Sequence, residues 1–522
     1  MSLQPGQPRS GQGPGPGEAP RITGPTPPHE ADRRLPLGLR QRGGLLGGFV
    51  AFLLMLLSPA PQGLGDAAWG TAAVTVLMAV WWMTEAIPIP VTALLPLVLF
   101  PLLGVGDVRQ TAAPYANPLI FLFMGGFMVA LAMERWRLHR RLALLILRAV
   151  GPRPHAAVAG FMLAAAGLSM WISNTATAMM MLPIGLSVVE LVRREPGGDD
   201  PAADGFAVTV LLAIAYSCSL GGMATLVGTP TNAVLAGFLL ESYGVELAFA
   251  DWMLVGLPMA ALGLVTVFFV LTRWVYPIRI VAIPGGRAFI RESLRDLGRP
   301  NRGEKLVAAV FALVAFLWIG RRWLQPLVPG LSDASTAVLG ALLLFLLPAA
   351  PGVRVLDWET AQRLPWGVLL LFGGGLSLAA AIRDSGLAAW LGGGLEGVGS
   401  LPILVLSLAT VVLIVFLTEL TSNTATASAF LPILASLAVG LGENPLLLLV
   451  PAVIASSCAF MLPVATPPNA IIYGSGRITI PQMARAGLVL NLIFALLVTL
   501  CVFLLLPAAL GVEAGTLPPW AG

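Results

Sequence analysis

Long apolar segments constrain the fold of this chain more than any other feature. Runs such as Phe206–Leu220, Leu254–Leu271 and Leu488–Leu506 contain no charged residue, and a membrane-spanning helix needs about 20 mostly apolar residues. Only 11% of the residues are charged, against about 25% in soluble domains. The runs do not alternate apolar and polar residues as the strands of a membrane barrel do. The sequence therefore predicts an all-α polytopic membrane protein.

Eleven transmembrane helices are predicted from the apolar runs. Two further apolar stretches, residues 155–192 and 402–440, carry polar strings near their centres, and each could form two full crossings or one re-entrant hairpin. The polar centres favour re-entrant hairpins, because a turn at membrane depth is tolerated where it lines a watered cavity. The eleven predicted spans are 43–60, 67–84, 90–105, 117–134, 205–241, 251–276, 305–325, 335–350, 365–383, 446–473 and 482–508.

The basic residues predict how the chain is oriented in the membrane. With eleven crossings and a cytoplasmic N-terminus, all but four of the 30 Lys and Arg residues fall on the cytoplasmic side, as the positive-inside rule requires. The exceptions are Arg109, Arg321, Arg322 and Arg383. Whether each polar stretch makes two full crossings or one re-entrant hairpin, every other loop stays on the same side of the membrane. We therefore expect an external C-terminus and a multi-pass protein of a plasma membrane or bacterial inner membrane.

Several classes of site are disfavoured by composition. Residues 1–42 are rich in Pro and Gly and predict a disordered cytoplasmic tail. The spacing of Cys and His matches neither a disulfide framework nor a metal site, and the basic residues lie in the tail and loops, so neither a cofactor nor a nucleic-acid partner is expected. The residues concerned are Cys218, Cys458, Cys501, His29, His139 and His155.

Three motifs occur twice in the same order. "FLFMGGFMVALA" at Phe121 resembles "LLLFGGGLSLAA" at Leu369, "ISNTATAMMMLPI" resembles "TSNTATASAFLPI" at Thr421, and "GTPTNAVLAG" resembles "ATPPNAIIYG" at Ala465. An odd number of predicted crossings separates the members of each pair, so the two halves are expected to be inverted repeats. Repeats of this kind are typical of transporters whose site lies at the membrane midplane between the halves.

The polar motifs suit the binding of a cation and an anion together. Gly228 and Pro230 in the first half, and Pro467 with Pro468 in the second, interrupt their helices. Unwound carbonyls suit a hard cation such as sodium, and free helix N-termini suit an anion. Because no Lys or Arg is near either Ser-Asn-Thr string in sequence, we expect bound sodium ions to balance the anion.

Other functional classes fit less well. No HExxH, GxSxG or paired intramembrane aspartate motif is present, so the sequence does not predict an enzyme. A channel is disfavoured because paired, interrupted helices indicate a closed, moving site. Glu419, three residues before Ser422, is predicted either to take part in coupling or to be a paired structural charge. Glu85 is expected to be interfacial or structural.

The motifs together resemble the divalent anion/sodium symporter family, which includes sodium-coupled dicarboxylate, citrate and sulfate carriers. The resemblance rests on "TEAIPIPVTALLP" from Thr84, both Ser-Asn-Thr strings, "GTPTN" and "ATPPN", and it extends from about Gly43 to the last span. One departure is Thr231, where many members have a second proline. This difference bears on sodium stoichiometry and selectivity more than on the fold.

The resemblance implies a homodimer that works as an elevator, with a scaffold domain and a mobile transport domain. In this numbering the parts are a tail (1–42), scaffold helices of repeat 1 (43–154), transport elements of repeat 1 (155–276), a linker with scaffold helices of repeat 2 (277–401), transport elements of repeat 2 (402–508) and an external C-terminal tail (509–522).

The resemblance also implies specific ligands. The first sodium ion is expected at Ser169, Ser173, Asn174 and Gly228, and the second at Thr418, Ser422, Asn423 and Ala465. The substrate-binding residues are expected to be Asn174, Thr175, Asn423, Thr424, Thr466 and Pro467.

The leading functional hypothesis is sodium-coupled uptake of C4-dicarboxylates such as succinate, malate or fumarate. Two sodium ions would balance two carboxylates. The alternatives are a sodium-independent dicarboxylate exchanger and a citrate or sulfate carrier of the same family.

Overall fold

The structure is a computed structural model that describes residues 38–193, 201–393 and 401–521. Residues 1–37 of the predicted tail lie outside the described residues. The first helix begins at Leu39, so the last four residues assigned to the tail, 39–42, are helical.

The described chain is 75% helical with almost no strands, which confirms the predicted all-α fold class. The helices of the first half are α1 Leu39–Leu57, α2 Asp66–Thr84, α3 Ile89–Thr92, α4 Leu95–Leu102, α5 Val108–Ala112, α6 Pro118–Arg135, α7 Leu138–Val150, α8 Pro154–Ser169, α9 Asn174–Arg193, α10 Pro201–Met223, α11 Pro230–Tyr243 and α12 Phe249–Phe269. A 3₁₀ turn, Ala113–Ala116, joins α5 to α6, and a π turn, Val270–Val275, extends α12.

The second half repeats this pattern after a connecting segment. Its elements are α13 Gly286–Asp296, α14 Arg302–Leu324, α15 Asp333–Leu346, the short antiparallel strands β1 Pro348–Ala350 and β2 Val353–Arg354, α16 Trp358–Ala361, α17 Trp366–Asp384, α18 Leu387–Gly393, α19 Ile403–Thr418, α20 Asn423–Gly440, α21 Leu446–Ser456, α22 Pro467–Gly474 and α23 Ile480–Leu510.

All eleven predicted spans coincide with helices, but not all are single long ones. Among the described residues, ten helices are long and apolar enough to cross a membrane, and α9 and α20 are two of them. The span predicted at 90–105 is divided into α3 and α4. Spans 205–241 and 446–473 are each two helices separated by unwound backbone, because each contains one of the proline motifs.

Each of the two polar stretches forms a helical hairpin. In α8–α9 the chain turns at Ser173, and in α19–α20 it turns at Ser422, and both turns reach one central cavity. The ends of the first hairpin lie at one face: Pro152 borders Gly286 at the start of α13, and Arg193 pairs with Asp204. Re-entrance stays a prediction, because a hairpin of two full crossings would also bring both ends to one face.

Side-chain contacts join the predicted cytoplasmic segments to one another, and the predicted external segments to one another. The contacts on the predicted cytoplasmic side are Arg135–Asp357, Arg141–Glu304 and Arg477–Glu190, and those on the predicted external side are Arg321–Glu246, Arg322–Asp251 and Tyr243–Trp520. Two amphipathic helices that the apolar runs did not predict, α7 and α13, lie on the first side. In α7, for example, Leu144 and Leu147 are buried while Arg140 and Arg148 are exposed.

The two interrupted helices meet in the core. The membrane-spanning window of α10 is entirely buried, which places this helix at the centre of the bundle. Its Tyr216 hydroxyl donates a hydrogen bond of 2.7 Å to the carbonyl of Phe460, in the unwound segment after α21. The rings of Tyr216 and Phe460 are also 5.0 Å apart. The broken helices of the two repeats are therefore joined directly.

Candidate binding site between the two repeats

A cavity of about 750 Å³ lies where the hairpin turns and the broken helices meet. All six predicted substrate-binding residues and six of the eight predicted cation ligands line it. From the first repeat these are Ser173, Asn174, Thr175 and Gly228, and from the second Ser422, Asn423, Thr424, Ala465, Thr466 and Pro467. Helices α9, α11, α20 and α22 all begin at this cavity, so four positive helix ends point toward it.

The two remaining predicted ligands lie directly behind the hairpin turns. Ser169 Oγ donates to Asn174 Oδ1 at 2.7 Å, and Thr418 Oγ1 donates to Asn423 Oδ1 at 2.6 Å. The same pair of positions therefore makes the same contact in both repeats. Each turn gathers neutral oxygen atoms, which are the ligands that a hard cation prefers.

Gly222 sets the spacing of two predicted ligands in the first repeat. A Cβ at this position would lie 2.7 Å from Asn174 Oδ1 and 2.9 Å from the carbonyl oxygen of Gly228. The two oxygen atoms thus face the same small space, and only glycine leaves it open. The corresponding residue of the second repeat is Ala459.

Two buried asparagines hold the unwound segments. Asn232 Nδ2 donates to the carbonyl of Thr225 at 2.8 Å, with two longer bonds to Gly222 and Met223. Asn469 Nδ2 donates to the carbonyls of Ala459 at 3.1 Å and Leu462 at 3.2 Å. Sequence reasoning assigned these residues no role, although they end the repeated motifs "GTPTN" and "ATPPN".

Glu419 is buried and does not line the cavity. Its carboxylate accepts hydrogen bonds from the backbone N–H groups of Phe460, Met461 and Leu462 at 2.7 to 2.9 Å, and from Asn491 Nδ2 at 2.7 Å. Of the two predicted roles, the structure favours the structural one. The partners are backbone and side-chain amides rather than a cationic residue.

Thr231 connects the two repeats. Its hydroxyl is fully buried and lies 3.1 Å from Ser457 Oγ, and Ser457 lines the cavity. A proline at position 231 would lack both this hydroxyl and its backbone N–H. The departure from the family pattern therefore creates a contact between the two broken helices.

Arg40 and Glu85 also line the cavity, and sequence reasoning missed both. Arg40 Nη2 donates to the carbonyl of Leu420, at the turn of the second hairpin, over 2.7 Å, and to the carbonyl of Met83. The inference that no full positive charge stands near the turns was wrong, because the contact joins positions 380 residues apart. No motif connects them. Glu85 is exposed with φ 51° at the end of α2, and it faces the cavity instead of being only interfacial.

Comparison with known proteins places this cavity in context. Residues 43–509 match the family described as the sodium:sulfate symporter transmembrane region. The chain belongs to this family. Membership confirms the resemblance inferred from the repeated motifs, and it confirms a membrane transporter rather than an enzyme.

Symporter-family relatives align over nearly the whole chain. The sodium-dependent dicarboxylate transporter SdcS of Staphylococcus saprophyticus is 44% identical over 485 residues, covering 90% of this chain and 92% of the relative. Its namesake in Staphylococcus aureus strain USA300 is 42% identical over 501 residues, covering 93% and 95%.

Two solved transporter structures share the fold of this symporter-family chain. The YdaH transporter of Alcanivorax borkumensis has a TM-score of 0.56 at 16% identity, covering 86% of this chain and 99% of that one. MtrF of Neisseria gonorrhoeae has a TM-score of 0.52 at 12% identity, covering 89% and 93%. At these identities the likeness concerns the fold alone.

Proposed function

We propose that this protein is a secondary active transporter that couples uptake of C4-dicarboxylates, such as succinate, malate and fumarate, to sodium. The observation that carries the proposal is the paired geometry of the cavity: two Ser-Asn-Thr turns and two Thr-Pro segments face each other across it. The relatives named sodium-dependent dicarboxylate transporters support the same cargo. Sodium is the coupling ion, and no other cofactor is required.

The sodium ions would be held by the turns and the unwound segments. The first site comprises Ser169, Ser173, Asn174 and Gly228, and the second comprises Thr418, Ser422, Asn423 and Ala465. The hydrogen-bonded pairs Ser169–Asn174 and Thr418–Asn423 support this assignment, since they already bring two ligands of each site together.

The substrate would lie between the two sodium sites. One carboxylate would be bound at Asn174 and Thr175, the other at Asn423 and Thr424, with Thr466 and Pro467 beside it. The positive helix ends and two sodium ions favour a dianion. Arg40 adds one positive charge and Glu85 one negative charge to the lining of the same cavity.

Transport would follow an elevator mechanism in a homodimer. Segments 43–154 and 277–401 form the proposed scaffold, and segments 155–276 and 402–508 form the proposed transport domain. With a cytoplasmic N-terminus and an external C-terminus, the exposed Arg40 and Glu85 lie at the cytoplasmic side of the cavity. This arrangement supports an inward-facing conformation, in a bacterial plasma membrane.

Uptake of labelled succinate into proteoliposomes tests the proposal. We expect uptake to require an inward sodium gradient and to be lost in Asn174→Ala and Asn423→Ala, while both variants keep the size-exclusion profile of the wild type. Uptake unchanged when choline replaces sodium would instead support a dicarboxylate exchanger. Preference for citrate or sulfate in a substrate panel would support the other carriers of the family.

A further inference from the structure

Arg40 places a full positive charge at the cavity in an unusual way. It belongs to the first turn of α1, and it contacts the second hairpin turn at Leu420 and the end of α2 at Met83. Both partners are neutral carbonyls. Within residues 38–193, 201–393 and 401–521, no carboxylate lies at ion-pair distance from Arg40, so its charge is not neutralised by a direct partner.

The guanidinium group also keeps unused donors. Arginine has five N–H groups in a planar fork, and the two carbonyl bonds of Arg40 both use Nη2. In the described part of the chain, Nε and Nη1 have no hydrogen-bond partner. Three N–H groups, one on Nε and two on Nη1, are therefore available, and each can donate a single charge-assisted hydrogen bond to a carboxylate oxygen.

The free N–H groups of Arg40 lie where a substrate would pass. Arg40 is exposed, whereas Asn423 and Thr424 lie three and four residues beyond Leu420 at the same lining surface. An anion moving between solvent and the hairpin turns on this side passes the free N–H groups of Nε and Nη1. The two carbonyl bonds of Nη2 fix where these groups point.

We propose that Arg40 is a carboxylate-binding residue at the mouth of the cavity, which binds the dicarboxylate transiently on its way to or from the central site. This inference rests on the proposed function. It assigns Arg40 a role at one face of the membrane only. Helices α1 and α2 belong to the proposed scaffold and the hairpin turn to the mobile domain, so the contact between them exists only when the cavity opens to that face. Glu85, at the same mouth, opposes anion entry and limits how long the substrate stays.

Face-selective kinetics of labelled succinate test this assignment. Initial rates are measured with a sodium gradient in inverted and right-side-out membrane vesicles that contain the full chain. The variants are Arg40→Gln and Arg40→Lys. The matched control is Arg42→Gln, which removes the same charge from an exposed position of α1 that does not line the cavity. Size-exclusion profiles and expression level check that each variant folds.

In inverted vesicles, we expect Arg40→Gln to raise KM for succinate about tenfold, as loss of one charged hydrogen-bonding partner implies, with Vmax within about twofold of the wild type. The effect should shrink at high ionic strength, Arg40→Lys should restore part of it, and Arg42→Gln should match the wild type. Glu85→Gln should lower KM on the same face. In right-side-out vesicles KM should not change.

Three results would overturn the inference: an unchanged KM in Arg40→Gln, an equal change on both faces, or an equal change in Arg42→Gln. A fall in Vmax at constant KM would also overturn it, since the contact would then only hold the hairpin. An effect confined to right-side-out vesicles would support carboxylate binding by Arg40 but would show that the predicted orientation of the chain is reversed. If wild-type vesicles show no sodium-driven succinate flux, the proposed function itself fails.

Discussion

The two unwound segments at the cavity have the same motif but are held in different ways. In the first repeat, Thr225 Oγ1 donates to the carbonyl of Met170 at 2.5 Å and accepts from the N–H of Gly228 at 3.1 Å, and Gly222 packs directly against Gly228. In the second repeat, the position of Met170 is taken by Glu419, which accepts three backbone N–H groups. One segment is held by neutral groups and close packing, the other by a buried charge.

This difference shows that two copies of one motif can be stabilised by different interactions. Unwound backbone in apolar surroundings needs hydrogen-bond partners, and both the neutral groups of the first repeat and the carboxylate of the second provide them. A buried carboxylate also places a negative charge behind the second turn, where Thr418 and Asn423 gather oxygen atoms. We therefore expect the second sodium site to bind more tightly than the first.

The largest expected effect comes from removing the charge that distinguishes the repeats. Glu419→Gln keeps the shape of the side chain but weakens acceptance from three N–H groups and Asn491, and a hydrogen bond to a charged group contributes about 1.5–3 kcal/mol. We expect succinate uptake to fall at least about a hundredfold. Uptake and thermal stability in detergent measure this, with Met170→Leu as the matched change in the first repeat. Equal losses in both variants would contradict the asymmetry.

Gly222→Ala tests the close packing of the first repeat. The added methyl group would meet Asn174 Oδ1 and the Gly228 carbonyl oxygen at under 3 Å, and overpacking of this kind costs about 1–3 kcal/mol. We expect the sodium concentration for half-maximal uptake to rise at least about tenfold. The reverse change at the equivalent position, Ala459→Gly, should shift it by less than about threefold. A normal sodium dependence in Gly222→Ala would show that these oxygen atoms do not bind the ion.

Sodium removal separates the two sites by stability. A ligand that binds the folded state at ten times its Kd stabilises it by about 1.4 kcal/mol. We expect replacement of sodium by choline to lower the melting temperature of the wild type by several degrees, and that of Gly222→Ala by more than half as much, since the tighter second site remains. Loss of the entire sodium effect in Gly222→Ala would indicate that the two sites are filled only together.

The smallest expected effect concerns the hydroxyl that joins the repeats. Thr231→Val keeps the side-chain volume but removes the contact with Ser457, and a neutral hydrogen bond contributes about 1 kcal/mol. We expect about a threefold change in sodium affinity, measured from the sodium dependence of uptake, and Thr231→Ser should restore it. No difference between Val and Ser at this position would rule out a role for the hydroxyl.

The residues of the site that belong to short sequence motifs could be predicted from the sequence. Asn174 and Asn423 lie at the cavity because each opens a helix directly after a turn, and the breaks at Pro230 and Pro467 follow from proline geometry. Arg40 could not be predicted, because its position depends on how α1 packs against α2 and the second hairpin.

Three further features depended on packing or on a different pattern. The hydrogen-bond partners of Glu419 could not be predicted from the sequence, because most of them are backbone N–H groups, which every residue except proline carries. Helices α7 and α13 are amphipathic and contain no apolar run long enough to span a membrane, so apolar runs alone did not predict them. Residues 194–200 and 394–400 lie outside the described residues, so the domain bounds predicted across them stay predictions.

The bond between Tyr216 and Phe460 has a consequence for how the sequence of this chain can change. Two repeats can vary independently only where neither completes the hydrogen bonds of the other. Here the hydroxyl of one copy is satisfied by a carbonyl of the other, and the ring of Phe460 also packs against Phe494 of α23. Each repeat therefore forms part of the core of the other. A substitution at such a contact in one repeat must also be compatible with the packing of the other.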